Sequence, residues 1–455
     1  MTQRTVPATN TVAPAPGRLP LVGHAFGLRK GLLGYLKSLP SDTDMVRLQI
    51  GPWLQPILVC NPDLIHHIHV NSQTFDRGGP LIDKFVDVVG NGLGTCPWAE
   101  HRRQRRILQP LFRNDHLAAY APTMSQQAGA LMDRWHDGQV IDVPAHANDY
   151  TSRLLAKTLF TADLATPAVD AMVESASLIR RGIYTRAFIP ARVMGIVHKL
   201  PIAAGRDLDQ AHHRIRAVIG RTIQEYRRSN TDHGDLLSML LAARDEDGTP
   251  LDDQEIHYQV ISFMIAGFDT TAAALSWALD LLARHPDIRD RLHSEVDTVL
   301  AGGLAGWDNL PELDLTRRIV TETLRVCPPA WLLDRHVIRD TELGGHLLPA
   351  GTPVLYSPYF VHHSHAYFPD PERFDPDRWL PERKHETPRN AFIPFGAGPR
   401  KCIADTFATT AVTIALASIA ARWRVDTTTA DPPQAAASLV YSPRTLHMRL
   451  HHRTP

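Results

Sequence analysis

From Asp253 to about His285 no proline interrupts the chain, and apolar residues recur on almost every face between Val260 and Leu282. At about 1.5 Å per residue such a helix is roughly 50 Å long, enough to cross a whole globular body. A helix that is apolar on all sides needs protein on all sides. The segment therefore predicts a central, buried helix around which the rest of the chain must pack.

Helical periodicity dominates from about residue 61 to 325, and Pro62, Pro80, Pro97, Pro122, Pro144, Pro190, Pro201, Pro250 and Pro286 mark the breaks. Ahead of it, Met45–Ile50, the turn Gly51-Pro52 and the run Pro56–Cys60 read as strand, turn, strand. Behind it, His346–Val354 and Leu439–Leu450 look like short strands on either side of a Pro-rich, charged meander, Ser364–Asn390. Residues 1–20 are rich in Pro and Ala and read as an irregular arm. Length alone, at 455 residues, points to about three domains. No repeat, linker or cut point divides the chain, so the expectation is one large domain over 21–455, mainly α with small β-sheets.

Lys plus Arg equals Asp plus Glu at 48 each, so no overall field draws the chain to nucleic acid or anionic lipid. Cys60, Cys96, Cys327 and Cys402 are widely spread without a CxxC pair, which argues against a zinc site and against a disulfide framework. The N-terminus is broken by Pro and Gly and has no apolar run of the ~20 residues that span a bilayer. A cytoplasmic protein without a transmembrane anchor is expected.

Four local patterns carry chemistry. In Phe395-Gly396-Ala397-Gly398-Pro399-Arg400-Lys401-Cys402-Ile403-Ala404, two glycines permit a tight turn and the cysteine precedes an apolar helix. Cys402 is then either a small buried hydrophobe, the common fate of such a residue, or a thiolate presented as a metal ligand. In the middle of the long helix stands Ala266-Gly267-Phe268-Asp269-Thr270-Thr271. A carboxylate beside a hydroxyl in an apolar helix is costly without water or a ligand. Either a gap at Gly267 admits a small molecule to which Thr270 and Asp269 pass protons, or Thr270 bonds back to the preceding turn at a kink. Glu322-Thr323-Leu324-Arg325 puts opposite charges on one helical face, which alone is usually a solvated pair. Trp98-Ala99-Glu100-His101-Arg102-Arg103-Gln104-Arg105-Arg106 is a basic helical run, with His101 and Arg105 on one face. As a solvated face it needs no ligand, and without interleaved aromatics it is a poor nucleic-acid patch.

Taken together these patterns resemble the cytochrome P-450 family. Its cysteine loop reads Phe, Gly, any, Gly, any, Arg, any, Cys, any, Gly, and this chain departs only at Ala404. Its acid–alcohol pair matches Asp269 and Thr270, and its Glu, any, any, Arg motif matches Glu322 and Arg325, completed by Arg373 in Pro371-Glu372-Arg373-Phe374. The likeness runs from Pro16-Gly17 and Pro20-Leu21-Val22-Gly23-His24 to the terminal strands.

The resemblance implies a triangular helical body with the long helix crossing a haem b, and Cys402 as the iron's thiolate ligand. It implies propionate contacts from His101, Arg105, Arg335 and Arg400, with Arg102 as runner-up. Asp269 and Thr270 are then catalytic, and Glu322, Arg325 and Arg373 form a structural network. Activation of O2 inserts one oxygen atom into a C–H bond. Electrons come from NAD(P)H through separate redox partners, most simply a ferredoxin and ferredoxin reductase, with Arg102–Arg106 and Lys401 offering a basic docking face. The protein is expected to be a monomer.

Phe75–Cys96, Ser177–Pro190, Phe263–Thr270, Ala330–Leu333 and Leu439–Val440 would line the substrate pocket, with Phe263, Ala266, Leu332 and Val440 foremost. Their mostly apolar side chains point to an apolar small molecule held by shape. Tyr356-Ser357-Pro358-Tyr359 and the run Phe374–Arg383 resemble bacterial terpene-oxidising members such as the pentalenene and albaflavenone oxygenases, so a sesquiterpene is expected. The same words occur in fatty-acid hydroxylases of the family. Outside oxygenation, a haem-based sensor or electron-transfer protein would need the cysteine loop but not Asp269 and Thr270, and a haem-free helical scaffold would need neither.

Overall fold

Asp253–Arg284 is one uninterrupted helix. It opens with a capping box, in which Asp252 accepts from the Glu255 N–H at 2.7 Å and Glu255 accepts from the Asp252 N–H at 3.2 Å. It ends at His285, where Pro286 starts the helix Pro286–Leu300. By length and composition it could cross a membrane, but Thr271–Asp280 is buried throughout, as in the core of a globular fold.

The computed structural model describes residues 12–19, 23–24, 31–40, 42–50, 54–79, 82–83, 86, 89–160, 203–229 and 231–453. It divides into two compact units, Met1–Gly79 with Leu324–Cys402 and Pro80–Thr323 with Ile403–Pro455, neither continuous in sequence.

The second unit is built on the long helix. Val143–Leu159 lies along it, and Asp405–Arg422, buried from Thr410 to Ala421, packs against it and against Asn114–Met132. Tyr150 of the first of these donates to Ala411 O at 3.1 Å. Ile219, Ile223, Leu237, Leu240, Val260, Met264 and Phe268 share one apolar core. Pro122 does not break the chain as expected; it sits inside Asn114–Met132. An interior proline costs about 3 kcal/mol, and the buried residues on both sides of it, Leu117, Tyr120, Met124 and Ala128, offset that cost. Strands Val140–Asp142, His447–His452 and Trp423–Thr427 form an antiparallel sheet, and Ala435–Ala437 pairs with Tyr441–Pro443.

The first unit holds a five-stranded sheet in the spatial order Met45–Arg47, Ile57–Val59, Pro353–Tyr356, Leu333–Val337, Phe75–Asp76. The expected front hairpin pairs with Met45 opposite Val59, and Ile57–Val59 then runs parallel to Pro353–Tyr356. Part of the N-terminal arm is packed rather than loose: Ala15 N–H donates to Arg47 O at 3.0 Å, and Val12 and Ala15 are buried. The register that matters for chemistry is at the far edge, where Asp76 stands opposite His336. It brings Asp76 and Arg77 beside Asp334 and Arg335.

Candidate functional site

In the first unit the chain from Phe395 to Cys402 closes on itself through the Cys402 N–H, which donates to Phe395 O at 2.9 Å. Gly396 (φ 68°) and Gly398 (φ 66°) both take left-handed backbone, which a side chain disfavours. At Gly398 the demand is double, because a Cβ there would lie 2.4 Å from His69 O and 2.8 Å from His69 C. The loop thus presses on the C-terminal end of the helix Pro62–Val70. Its effect is to leave Cys402 exposed while Cys60, Cys96 and Cys327 are buried. Burial, with the nearby Asp44 charge, pushes the Cys60 thiol up to about 12, so it stays protonated. Of the four cysteines, Cys402 alone is exposed.

Close to that loop lies a buried arginine cluster. Arg77 pairs with Asp334 at 3.0 Å, and Arg400 pairs with Asp76 at 2.5 Å. Arg335 is 4 % exposed, stands 5.6 Å over the Tyr356 ring and donates to Asp334 O at 2.7 Å, yet its Nε has no partner. Burial above all, helped by the charges of Arg77 and Arg400, pulls it down to about 10. A buried guanidinium with an orphaned N–H and an excess of cations around it fits the carboxylate of a ligand. Arg335 and Arg400, expected to meet haem propionates, are both brought here.

The helix Asp314–Val326 carries Glu322 and Arg325, each wholly buried. Arg325 donates to His362 O at 2.9 Å, Pro371 O at 2.7 Å and Arg373 O at 3.0 Å, with its guanidinium 5.4 Å from the Phe368 centroid. The His362 Nδ1–H donates to Arg325 O at 3.1 Å, while its Nε2 accepts from the Ile393 N–H at 3.0 Å. Burial, with the Arg325 charge adding, holds His362 well below its usual range, so it stays neutral and can play both parts. Ile393 O in turn accepts from the Gly396 N–H at 3.1 Å. One chain of hydrogen bonds therefore joins Arg325 to the cysteine loop. Arg373 enters it differently from the expectation, since its side chain is exposed and only its carbonyl takes part. Another buried arginine of this unit is Arg378, 2 % exposed, which donates to Asp370 O at 3.3 Å.

In the second unit Phe263, Ala266, Asp269 and Thr270 follow one another along the long helix. Ala266 is exposed and the other three partly so, directly before the wholly buried stretch that begins at Thr271. Thr270 Oγ1 donates to Ala266 O at 2.7 Å, the back-bond to the preceding turn. The gap expected at Gly267 is filled: a Cβ there would stand 2.6 Å from Leu155 Cδ1, so this glycine serves the close crossing with Val143–Leu159. Another hydroxyl, Thr151 Oγ1, donates to Phe268 O at 3.1 Å. The open face is therefore at Ala266, not at Gly267.

On the helix Trp98–Leu108, His101 is buried and stacked on Trp98 with 6.1 Å between centroids. Arg105 is half-buried and donates to Gln109 Oε1 at 2.7 Å, and Arg102 is exposed. Arg103 bonds Asp245 at 3.2 Å and Glu255 at 2.5 Å, and Arg106 pairs with Glu246. These acidic partners, far away in sequence, cancel much of the basic docking face that the run alone implied. A feature the sequence reading missed lies alongside. Gln259 Nε2 donates to Gln104 Oε1 at 2.9 Å, Gln104 Nε2 to Asn91 O at 3.1 Å, and the Leu93 N–H to Gln259 Oε1 at 3.0 Å. This relay fastens residues 91–93 to the long helix, and the available signal was Gln259 on an apolar helical face.

Val440 is half-buried in the turn before Tyr441–Pro443, which Trp277 Nε1 ties to the long helix by donating to Tyr441 O at 3.0 Å. Leu332, in the other unit, is half-buried just before Leu333–Val337. Ser177–Pro190 lies outside the described residues, as do parts of Phe75–Cys96.

Comparison with known proteins gives a consistent picture. A family model described as Cytochrome P450 matches residues 13–448. Cyclooctatin synthase of Streptomyces melanosporofaciens is 44% identical over 414 residues, 90% of this chain and 89% of its own. Pentalenene oxygenase of Streptomyces avermitilis is 42% identical over 443 residues, 97% of each chain. Among solved structures, the cytochrome P450DA heme domain is similar with a TM-score of 0.84 at 26% identity, over 98% of this chain and 97% of that one.

Proposed function

This chain belongs to the cytochrome P450 family and is a haem b monooxygenase supplied with electrons from NAD(P)H by separate redox partners, and we propose that its substrate is a terpene hydrocarbon and that Cys402 is its iron ligand. The observation that carries the site is the exposure of Cys402, alone among the cysteines, on a loop whose two glycines adopt left-handed backbone. When bound, haem supplies the activation of O2 and the transfer of one oxygen atom to a C–H bond.

The chain's own residues hold and serve that group. Arg335, Arg400, His101 and Arg105 would anchor its carboxylates. Because Thr270 Oγ1 donates to Ala266 O, its lone pairs remain to accept a hydrogen bond from an arriving water. Asp269, half-exposed beside it, would exchange protons with solvent. Phe263, Ala266, Leu332 and Val440 present apolar surface that suits a hydrocarbon and gives water nothing to bond. The terpene assignment draws on the similarity to pentalenene oxygenase and cyclooctatin synthase; a ferredoxin with its reductase as redox partner, a monomeric state and a cytoplasmic location complete the reading.

The absorption spectrum of the reduced, carbon monoxide-bound protein tests the ligand. The red-shifted band of thiolate ligation should appear in the wild type and vanish in Cys402→Ser; a histidine-like band in the wild type would overturn the assignment. Titration with pentalenene and other sesquiterpenes should shift the haem spin state and yield hydroxylated product. A response to fatty acids and none to terpenes would replace the substrate class. Thr270→Ala should keep the thiolate spectrum yet lower product formation by about 10²-fold while NAD(P)H is still consumed. Unchanged yield of product per NAD(P)H would remove Thr270 from the proton path.

A further inference from the structure

The helix Pro62–Val70 ends against the cysteine loop, and its last turn carries His69, only 1 % exposed. Neither ring nitrogen of His69 has a hydrogen-bond partner. Buried polar atoms in native proteins are almost always satisfied, so two orphans on one side chain call for a missing partner. Burial first, then the charges of Arg335, His66 and Arg77, pull this imidazole down to about 3, which leaves it neutral with one N–H to give. Its ring meets Tyr356 edge-on at 4.9 Å, and the Arg335 guanidinium stands over the same Tyr356 ring at 5.6 Å. On the loop side, the place where a Gly396 side chain would begin is 3.9 Å from His69 Nε2. The imidazole thus sits among Arg335, Tyr356 and a loop position that has no side chain.

Two buried side chains that flank one tyrosine each have a nitrogen unmatched, Arg335 at Nε and His69 at its ring. Both can donate, and one is a cation. Together they describe a site for a carboxylate, since an apolar occupant would leave both donors unsatisfied. Resting on the reading that this protein binds haem, we propose that His69 is a further cofactor-binding residue, donating to a haem carboxylate beside Arg335 and so tying that carboxylate to the loop that presents Cys402.

The test uses the holoenzyme in three forms: wild type, His69→Phe, which keeps a ring against Tyr356, and His69→Gln, which keeps a donor. Haem loss to an excess of an apo-globin should quicken roughly tenfold in His69→Phe and stay close to wild type in His69→Gln. All three should keep the thiolate-type carbon monoxide spectrum. The decisive comparison loads wild type and His69→Phe with the dimethyl ester of haem. The ester should speed loss from the wild type markedly more than from His69→Phe, because the variant has already lost part of what the free carboxylate binds. Equal loss rates for wild type and His69→Phe, or an equal ester effect in both, would overturn the proposal and show a purely packing role. If His69→Phe does not fold, loss from His69→Gln decides, with a rate near wild type supporting the proposal and a large acceleration overturning it. A wild type without the thiolate band would instead defeat the haem-thiolate reading itself.

Discussion

Arg325→Ala should abolish accumulation of folded protein, while Arg373→Ala should leave it nearly unchanged. Arg325 is wholly buried, and its guanidinium satisfies the carbonyls of His362, Pro371 and Arg373 at 2.7–3.0 Å. Truncation strands those acceptors and opens a void, and losses of this kind run to about 3–5 kcal/mol. That is a large part of the ~5–15 kcal/mol that holds a typical domain together. Arg373 offers the network only its carbonyl, which alanine also has, so its removal should cost within about 0.5 kcal/mol. Thermal melts and soluble yield of the two variants decide the matter. Equal damage from both would mean that the Arg373 side chain, and not its backbone, is what Arg325 relies on.

Gly398→Ala is expected to empty the protein of haem, and Gly396→Ala to do far less. Left-handed backbone costs a side chain about 1–2 kcal/mol at either position. Only at Gly398 does the new methyl also meet main-chain atoms, at 2.4 Å from His69 O and 2.8 Å from His69 C. Neither atom can yield without moving the end of the helix Pro62–Val70, so the loop must withdraw and Cys402 with it. At Gly396 the nearest atom is His69 Nε2 at 3.9 Å, an ordinary contact. Haem content and the carbon monoxide spectrum of purified protein read the difference; full haem content in Gly398→Ala would show that the loop can shift without losing its ligand geometry.

Some of this was legible in the sequence because local rules decided it. The long helix follows from its apolar periodicity and uninterrupted length, and the turn of the cysteine loop follows from what glycine alone permits. Other features depended on partners that no window of sequence contains. Pro122 was read as a break because propensity is local, whereas Leu117, Tyr120 and Met124 are buried by tertiary packing. Gly267 was read as an opening because Leu155, which fills it, lies on another helix. The basic run looked like a free cationic face until Asp245, Glu246 and Glu255 arrived to pair with it. Arg373 and Arg378 could not be told apart by residue type, since one acts through its carbonyl and the other through a buried side chain. His69 carried no signal, because its place beside Arg335 and Gly396 is set by strand pairing between distant segments.

That strand pairing has a consequence for the chain as it is made. Ile57–Val59 leaves the ribosome with one edge covered by Met45–Arg47, but the parallel partner on its other edge, Pro353–Tyr356, has not yet been translated. At synthesis rates of about 5–20 residues per second, the wait is roughly 15–60 s. During that interval an apolar strand, Ile57-Leu58-Val59, has an open hydrogen-bonding edge that any neighbouring nascent chain can occupy. The unit that presents Cys402 therefore cannot become whole until residues 324–402 have been made, and expression at lowered temperature or with added chaperone should raise the yield of haem-loaded protein through this early exposure rather than through any change in the finished fold.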